Sequence, residues 1–361
     1  LEGLLKNILK ILGVIKEEVL YLKKKYGDER KTQVIKSRPG EITDEQLIEN
    51  KEVIVVMTKE GYIKQVPRET FRVQQRGGKG VSGIETKETD NVYFITTAMA
   101  HDYVLFFSNQ GRVFRTRVWD IPQGSRTSKG KAIINLISTK AEEKITSILT
   151  YSAGTEPTNQ QYIIMFTKNG TVKKTPFEEY ANIRTNGIVA IRLEKDDELL
   201  WVKISNGKDN VILASKMGKA IVFKEKEVRP VGRAAIGVKG MTLEENDQLM
   251  AADIFSDNEF KKDILVICEK GIGKKTKLSN FKGQHRGGKG VKVTSIDKKT
   301  GTVAFAKIIN ESDTTIIITS AKGQVVKLPL ESIPSRSRTA KGVILMRFSQ
   351  KDDQVVSATF I

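Results

Sequence analysis

A glycine recurs about every fifty residues along most of the chain, each time between two short runs rich in β-branched and aromatic residues. Six segments share an apolar strand, this turn glycine and a second strand that carries basic residues. The segments are 53–64, 104–115, 162–174, 211–223, 264–275 and 315–327, with turn glycines Gly61, Gly111, Gly170, Gly218, Gly271 and Gly323. A period near 50 in a β-rich chain predicts an all-β, propeller-like array of six blades, whose closure removes exposed sheet edges.

A second glycine follows each turn glycine at a nearly constant distance. The distance is 19 residues in five repeats and 17 residues in the third. We name the segment that ends at each second glycine a glycine loop: loop 1 (Gly80), loop 2 (Gly130), loop 3 (Gly187), loop 4 (Gly237), loop 5 (Gly290) and loop 6 (Gly342). Basic residues accompany every loop: Arg76 and Lys79, Arg126 and Lys129, Arg184, Arg233 and Lys239, Arg286 and Lys289, and Arg336, Arg338 and Lys341. If the repeats are blades, the six cationic loops occupy equivalent positions around the array.

Loops 1 and 5 are nearly identical. Loop 1 reads Gln74-Gln75-Arg76-Gly77-Gly78-Lys79-Gly80, and loop 5 reads Gln284-His285-Arg286-Gly287-Gly288-Lys289-Gly290. Glycine-rich backbone beside Arg and Lys can donate N–H groups to phosphate oxygens. All of these residues except His285 are therefore predicted, together with the cations of the other loops, to contact a nucleic-acid backbone.

The charge distribution supports a polyanionic partner. The chain has a net charge of +18, of which residues 1–50 contribute only +1. Duplex DNA is the leading candidate, because a ring of Lys and Arg binds it through counterion release. An anionic membrane surface is the rival, but the β-rich part contains no strongly amphipathic basic helix, and no apolar run approaches the roughly 20 residues of a membrane span.

The first 50 residues follow a different pattern. Apolar positions in steps of three and four predict an amphipathic helix over residues 1–27, ended by Gly27 in a left-handed cap. Residues 28–50 are polar and predict a linker, and residues 51–361 form the β-rich domain. The single cysteine, Cys268, lies in an apolar run and is expected in the core, which suits a reducing cytoplasm.

Residues 74–80 resemble the motif known as the gyrase A box, and the six repeats resemble the C-terminal domain of the DNA gyrase A subunit, which is a β-pinwheel of propeller-like blades. The opening helix, followed by Lys25-Tyr26-Gly27-Asp28-Glu29-Arg30-Lys31-Thr32, resembles the end of the breakage–reunion core of that protein. The resemblance therefore covers essentially the whole chain. Gln75 departs from the motif, since a basic residue is usual at that place.

The resemblance implies that duplex DNA wraps around the basic rim in a positive sense and that a segment is presented for strand passage. Gyrase thereby introduces negative supercoils at the expense of ATP. The box is implied to lie between the first and last blades, closing the ring and anchoring DNA. Implied partners are the rest of the gyrase A subunit together with the gyrase B subunit, in an A2B2 enzyme of the bacterial cytoplasm. ATP and Mg would bind elsewhere in that enzyme, and no cofactor or metal is expected in this chain.

Catalysis is not expected in this chain. The family's reaction needs a tyrosine directly after an arginine, and none of the eight tyrosines stands there. The sequence also lacks a P-loop, and its two histidines, His101 and His285, have no Cys or carboxylate companions at zinc spacing.

Three alternatives remain. The C-terminal domain of the topoisomerase IV A subunit is a close relative of the favoured family, but its box is usually degraded. A propeller adaptor that binds protein or chromatin, like the chromosome-condensation-regulator repeats, would leave the two RGGKG copies unexplained. A propeller enzyme would need carboxylates or histidines that converge in the central channel, and the repeats offer none.

Overall fold

The structure is a computed structural model that describes residues 7–27, 47–67, 92–125, 128–152, 160–184 and 186–360. The chain divides into two units, residues 1–47 and 48–361. The first is represented by one helix, and the described part of the second contains 23 strands in six sheets.

The helix α1 spans Ile8–Tyr26. Asn7 is its N-cap residue, and the Asn7 side chain accepts a hydrogen bond from the Leu9 amide at 3.0 Å. None of its residues is buried, so its apolar stripe is exposed. The predicted left-handed cap is wrong, because Gly27 has φ −74°. The Gly27 amide already donates to the Lys23 oxygen at 2.9 Å from an extended conformation, so the helix end needs no left-handed residue. No helix in the described ranges is apolar over a length that would cross a membrane.

The strands follow the predicted repeats. Repeat 1 contributes β1 (Glu52–Thr58), β2 (Tyr62–Pro67) and β3 (Val92–Met99), and repeat 2 contributes β4 (Tyr103–Ser108), β5 (Arg112–Arg117), β6 (Lys131–Ala132) and β7 (Ile145–Tyr151). Repeat 3 contributes β8 (Tyr162–Thr167), β9 (Thr171–Pro176), β10 (Ile188–Val189) and β11 (Leu199–Ser205), and repeat 4 contributes β12 (Asn210–Ser215), β13 (Lys219–Lys224), β14 (Val238–Lys239) and β15 (Leu249–Phe255). Repeat 5 contributes β16 (Asp263–Cys268), β17 (Ile272–Lys277), β18 (Val291–Lys292) and β19 (Val303–Ile308), and repeat 6 contributes β20 (Thr315–Ser320), β21 (Val325–Pro329), β22 (Val343–Ile344) and β23 (Val355–Phe360).

Each of the first five sheets is completed by a two-residue strand from the next repeat. The pairs are β2 with β6, β5 with β10, β9 with β14, β13 with β18, and β17 with β22. The register is the same in all five: Lys131 lies opposite Ile63, for example, as Val291 lies opposite Ala220. The described part of the sixth sheet contains β21, β20 and β23. Successive repeats are thus joined by strand exchange as well as by chain connectivity.

The hydrophobic core consists of five layers, one between each pair of successive sheets. Side chains of the first strand of a repeat alternate between two layers, because successive strand residues point to opposite faces. Val104 and Phe106 of β4 pack toward sheet 1, whereas Leu105 and Phe107 pack toward sheet 3. Burial on both faces explains the uninterrupted apolar runs of the sequence. Cys268 is buried at the end of one such run, as predicted, and burial raises the pKa of its thiol to about 11.

All six predicted turn glycines end the tight turn of a hairpin. Their φ angles lie between 75° and 89°, a region that other residues rarely adopt. The six-bladed, propeller-like fold predicted from their spacing is confirmed.

Candidate nucleic-acid interface

The predicted site residues fall into two groups. Residues 74–80, which form loop 1, and Arg126 of loop 2 lie outside the described residues. The other predicted cations belong to the described parts of loops 2 to 6, and their positions can be compared.

The second glycine of a loop packs directly on the backbone of the preceding sheet. A Cβ at Gly290 would lie 2.6 Å from the Ala220 oxygen, and a Cβ at Gly342 would lie 2.3 Å from the Gly273 oxygen. Both glycines also have positive φ, 70° and 100° respectively. The constant spacing of these glycines therefore reflects the strand exchange, which needs two backbones in close contact.

Part of the loop 5 backbone is hydrogen-bonded within the protein. The amide of Gln284 donates to the Val222 oxygen at 2.8 Å, and that of Gly287 donates to the Gly240 oxygen at 2.7 Å. These two amides are thus not the phosphate donors that the loop's composition suggested.

Loops 3 to 6 contact one another in order. The segments that follow loops 3, 4 and 5 each donate a hydrogen bond to the next loop: Arg192 N to Ala235 O at 3.2 Å, Thr242 N to Gly288 O at 3.0 Å, and Ser295 Oγ to Thr339 O at 2.7 Å. We call loops 3 to 6, with the short strands β10, β14, β18 and β22 that follow them, the loop row. The cationic segments that the sequence placed in equivalent positions are therefore contiguous along one edge of the sheets.

Three buried lysines donate hydrogen bonds to the main chains of loops 2, 4 and 6. Lys64, Lys173 and Lys274 each stand three residues after a turn glycine, and their relative exposures are 3%, 0% and 0%. Their ammonium groups donate to main-chain oxygens of a loop in the next repeat: Lys64 to Ser128 at 2.6 Å, Lys173 to Arg233, and Lys274 to Arg338 at 2.7 Å. The equivalent residues of repeats 2, 4 and 6 are apolar: Phe114, Ile221 and Val326. Two kinds of loop support thus alternate along the chain.

Burial changes the acidity of these lysines, because an ammonium group loses hydration in the interior. Desolvation lowers the pKa of Lys173 to about 7 and that of Lys274 to about 8, and it also lowers the pKa of Lys64. The sequence analysis predicted only that the second strand of each repeat carries basic residues, and it gave these three lysines no separate role. Their recurrence at one offset from the turn glycine, in alternate repeats, was the signal that could have found them.

The loop row also carries exposed cations. Arg184, Lys239, Lys289 and Arg336 are exposed, and within the described ranges their side chains form no hydrogen bond or ion pair. Lys292 of β18 occupies the same place as Lys239 of β14 and is likewise exposed. Sequence reasoning missed Lys292, although the shared distance of both lysines from the second glycine would have identified it.

Two further predicted cations have partners of their own. Lys341 forms an ion pair with Asp297, and its hydrogen bond lowers the pKa of that carboxyl to about 2. Lys129 Nζ lies 3.6 Å from the centre of the Tyr62 ring and 3.9 Å from Glu60 Oε2. These lysines are less available to an external anion than Lys239 or Lys289.

No site suited to a metal ion is found among the described residues. Within them, no three His, Cys, Asp or Glu residues are grouped to hold a metal ion. A cavity of about 180 Å³ lies between β11, β15 and β19, and the charged residues that line it are Lys203, Asp253 and Lys307. Lys203 Nζ lies 3.2 Å from Asp253 Oδ1, so the one carboxylate of this cavity is already paired.

The six repeats match a known family. The sequence profile described as DNA gyrase C-terminal domain, beta-propeller, matches residues 52–95, 102–152, 161–206, 209–256, 262–310 and 314–361. The chain belongs to this family. The boundaries of the matched segments coincide closely with the repeats seen in the structure.

Curated relatives agree with the family profile. The DNA gyrase A subunit of Staphylococcus epidermidis (strain ATCC 12228 / FDA PCI 1200) is 33% identical over 357 residues, which is 99% of this chain and 39% of that protein. The corresponding protein of Staphylococcus aureus (strain NCTC 8325 / PS 47) is also 33% identical, over 99% of this chain and 40% of that protein. The chain thus spans about two fifths of the length of these relatives and corresponds to the C-terminal part of the gyrase A subunit, not to its catalytic core.

Solved structures show the same fold. The C-terminal domain of a DNA topoisomerase IV superposes with a TM-score of 0.73 at 25% identity, over 87% of this chain and 94% of that one. A DNA gyrase A C-terminal domain superposes with a TM-score of 0.66 at 24% identity, over 86% and 99% respectively. The gyrase propeller family and the topoisomerase IV domain are therefore structurally related.

Proposed function

We propose that this chain binds duplex DNA along the loop row and wraps it around the edge of the propeller. The contiguity of the cationic loops carries this proposal: hydrogen bonds join loops 3, 4, 5 and 6 in sequence, so a curved polyanion can follow them without leaving the protein. Exposed lysines and arginines along that row would contact phosphates, with little reading of base sequence.

The energetics favour a row over a single loop. Bending 20–30 bp of DNA by 40–90° costs on the order of 1–6 kcal/mol, and a longer wrap costs proportionately more. One loop with one or two exposed cations cannot offset that cost, whereas several loops acting on the same duplex can. Loop 1 is proposed to contribute Arg76 and Lys79 in the same way.

In the whole enzyme, the wrapped DNA would be presented for strand passage, so that gyrase introduces negative supercoils with ATP. The remainder of the gyrase A subunit and the gyrase B subunit are the proposed partners, in an A2B2 enzyme of the bacterial cytoplasm that binds ATP and Mg outside this chain. We also propose that residues 1–27 end the breakage–reunion core and that residues 28–50 link it to the propeller. The exposed apolar stripe of α1 supports the first assignment, because such a stripe is normally covered by other protein.

A ligation experiment tests the wrap. The 361-residue chain is bound at saturation to a nicked circular plasmid, the nick is sealed, and the linking number is measured after the protein is removed. A positive shift that grows with the amount of bound protein is expected from a positive wrap. An unchanged linking number at saturation would contradict wrapping while leaving simple DNA binding possible.

A topoisomerase IV-type role is the second candidate, favoured by the TM-score of 0.73 to the topoisomerase IV domain. The RGGKG sequence of loops 1 and 5 and the gyrase A relatives favour the gyrase role. A domain of the topoisomerase IV type would bind DNA but give a weaker or absent linking-number shift, so the ligation assay also separates these candidates.

A further inference from the structure

An arginine stands four residues before the second glycine in loops 4, 5 and 6. In each case Nη1 of the guanidinium faces the main-chain oxygen of the last residue in the preceding short strand. The contacts are Arg233 to Val189 at 3.5 Å, Arg286 to Lys239 at 3.2 Å, and Arg338 to Lys292 at 2.9 Å. The arginine of one loop thus contacts the short strand that follows the preceding loop, three times in succession.

Arg286 shows how firmly such a side chain is held. Its Nε donates to the Glu227 main-chain oxygen at 3.0 Å, while Nη1 donates to Lys239. Its own amide donates to the Glu227 carboxylate at 3.1 Å. The side chain is half-buried, in contrast to the exposed Lys289 of the same loop.

The shape of the guanidinium suits a bridge between two carbonyl groups. It is planar and presents its N–H donors in a rigid fork, whereas a lysine ammonium is a compact point charge on a flexible stem. Arg286 thus bridges two main-chain oxygens of repeat 4, that of Glu227 and that of Lys239 in β14. Replacing it by lysine would keep the charge and lose the bridge.

Main-chain contacts lie beside the same bridge. The Gly287 amide donates to Gly240 at 2.7 Å, and Thr242 Oγ1 donates to Gly287 at 2.6 Å. The arginine bridge and these bonds together determine how loop 5 sits against β14 and the residues that follow it. Because Lys239 lies on β14 and Lys289 on loop 5, the bridge also determines the spacing between these two exposed lysines.

We propose that the arginines of loops 4 to 6 are positioning residues that fix the spacing of successive loops, and that the exposed lysines make the phosphate contacts. This inference rests on the proposed DNA wrapping and assigns different roles to Arg286 and Lys289 in the RGGKG motif of loop 5. The arginine acts through the neighbouring loop, and the lysine acts on the DNA. Loop 5 then connects repeats 4 and 5 through Arg286 and contacts DNA through Lys289.

Three variants of the full 361-residue chain test this division: Arg286→Lys, Arg286→Ala and Lys289→Ala. Duplex affinity is measured over a range of salt concentrations, and the ligation assay gives the linking-number shift per bound molecule. Lys289→Ala should reduce the magnitude of the slope of log K against log salt by about 0.9, the value for one lost phosphate contact. Both Arg286 variants should keep the slope and reduce the linking-number shift.

The opposite pattern would overturn the proposal. If Arg286→Lys behaves as the wild type and Arg286→Ala loses about 0.9 of the slope, Arg286 is a phosphate contact and not a bridge. Arg338→Lys provides a second test at the shortest of the three contacts, in case an Arg286 variant fails to fold. It should likewise keep the slope and reduce the shift.

Amide hydrogen exchange separates this inference from the proposed function. Without any DNA, Arg286→Lys should make the Gly287 amide exchange about tenfold faster or more, since the charge-assisted bonds around it are lost. If the wild-type chain gives no linking-number shift, the wrapping proposal fails, yet this exchange result still tests the bridge. Unchanged Gly287 exchange in Arg286→Lys would overturn the bridge whatever the DNA assays give.

Discussion

Lys274, a buried residue of β17 in the fifth sheet, donates a hydrogen bond from Nζ to the main-chain oxygen of Arg338 at 2.7 Å. The same ammonium donates to the Ser337 oxygen at 2.5 Å. The cationic loop 6 is therefore bound through its main chain by another cation, the buried ammonium of Lys274. Main-chain carbonyl groups of the loop accept hydrogen bonds from the buried ammonium, an arrangement that repeats at Lys173 and Lys64.

Replacing Lys274 by methionine should loosen loop 6. Two charge-assisted hydrogen bonds are lost, and each is worth about 1.5–3 kcal/mol. Global stability should change less, because the cost of burying the ammonium is also removed. Hydrogen exchange measured by mass spectrometry should show the Arg336 and Ala340 amides exchanging at least about tenfold faster.

Lys277→Met is the matched control, because Lys277 lies at the exposed end of the same strand. It should leave exchange in loop 6 unchanged. Equal exchange in Lys274→Met and the wild type would show that the buried ammonium does not hold the loop.

Lys173 should give the protein a characteristic pH dependence. Its pKa is lowered by burial from the ordinary 10.5 to about 7, with Glu179 raising it and Arg233 lowering it further. At a pH between these two pKa values, Lys173 is protonated in the unfolded chain and neutral in the folded protein. The unfolded state therefore binds more protons in this window, and this residue makes stability rise with pH.

Lys173→Met removes that contribution. The free energy of unfolding of the wild type, minus that of the variant, should increase between pH 7 and pH 10 by at most about 1.4 kcal/mol per pH unit. Urea unfolding at several pH values measures the difference. Parallel curves for the two proteins would mean that Lys173 keeps its ordinary pKa in the fold.

The two classes of glycine should respond differently to alanine. Gly323 has φ 83° and no atom within 4 Å of the place that a Cβ would take, so Gly323→Ala should cost only the left-handed strain of about 1–2 kcal/mol. Gly342 has φ 100°, and a Cβ there would lie 2.3 Å from the Gly273 oxygen. Gly342→Ala should therefore cost clearly more, because β22 must separate from β17. Urea unfolding compares the two variants, and equal costs would contradict the close contact.

The fold could be predicted from sequence because its main signals are local and repeated. An apolar run, a turn glycine and a second strand define each hairpin, and the period near 50 defines the array. The strand exchange could not be predicted in the same way. A strand such as Val291–Lys292 has only two residues, too few for a periodic pattern, and its partner lies in another repeat.

The site was predicted in part. Basic residues around the second glycines could be found by their register, but their separate roles depend on contacts between repeats. Nothing local distinguishes Arg286, bridged to Glu227 and Lys239, from the exposed Lys289. Lysines are also rarely buried, so the position of Lys173 contradicts the usual expectation for its residue type.

The exposed lysines of the short strands should contribute to DNA affinity as independent phosphate contacts. Lys239 and Lys292 occupy the same place in β14 and β18, and their side chains form no hydrogen bond or ion pair with described residues. The double variant Lys239→Ala/Lys292→Ala should reduce the magnitude of the slope of log K against log salt by about 1.8. Lys208→Ala/Lys226→Ala removes the same charge from exposed positions outside the loop row and is the control. If both double variants reduce the slope equally, the chain attracts DNA through its net charge alone; a reduction confined to the first pair places the duplex along the loop row.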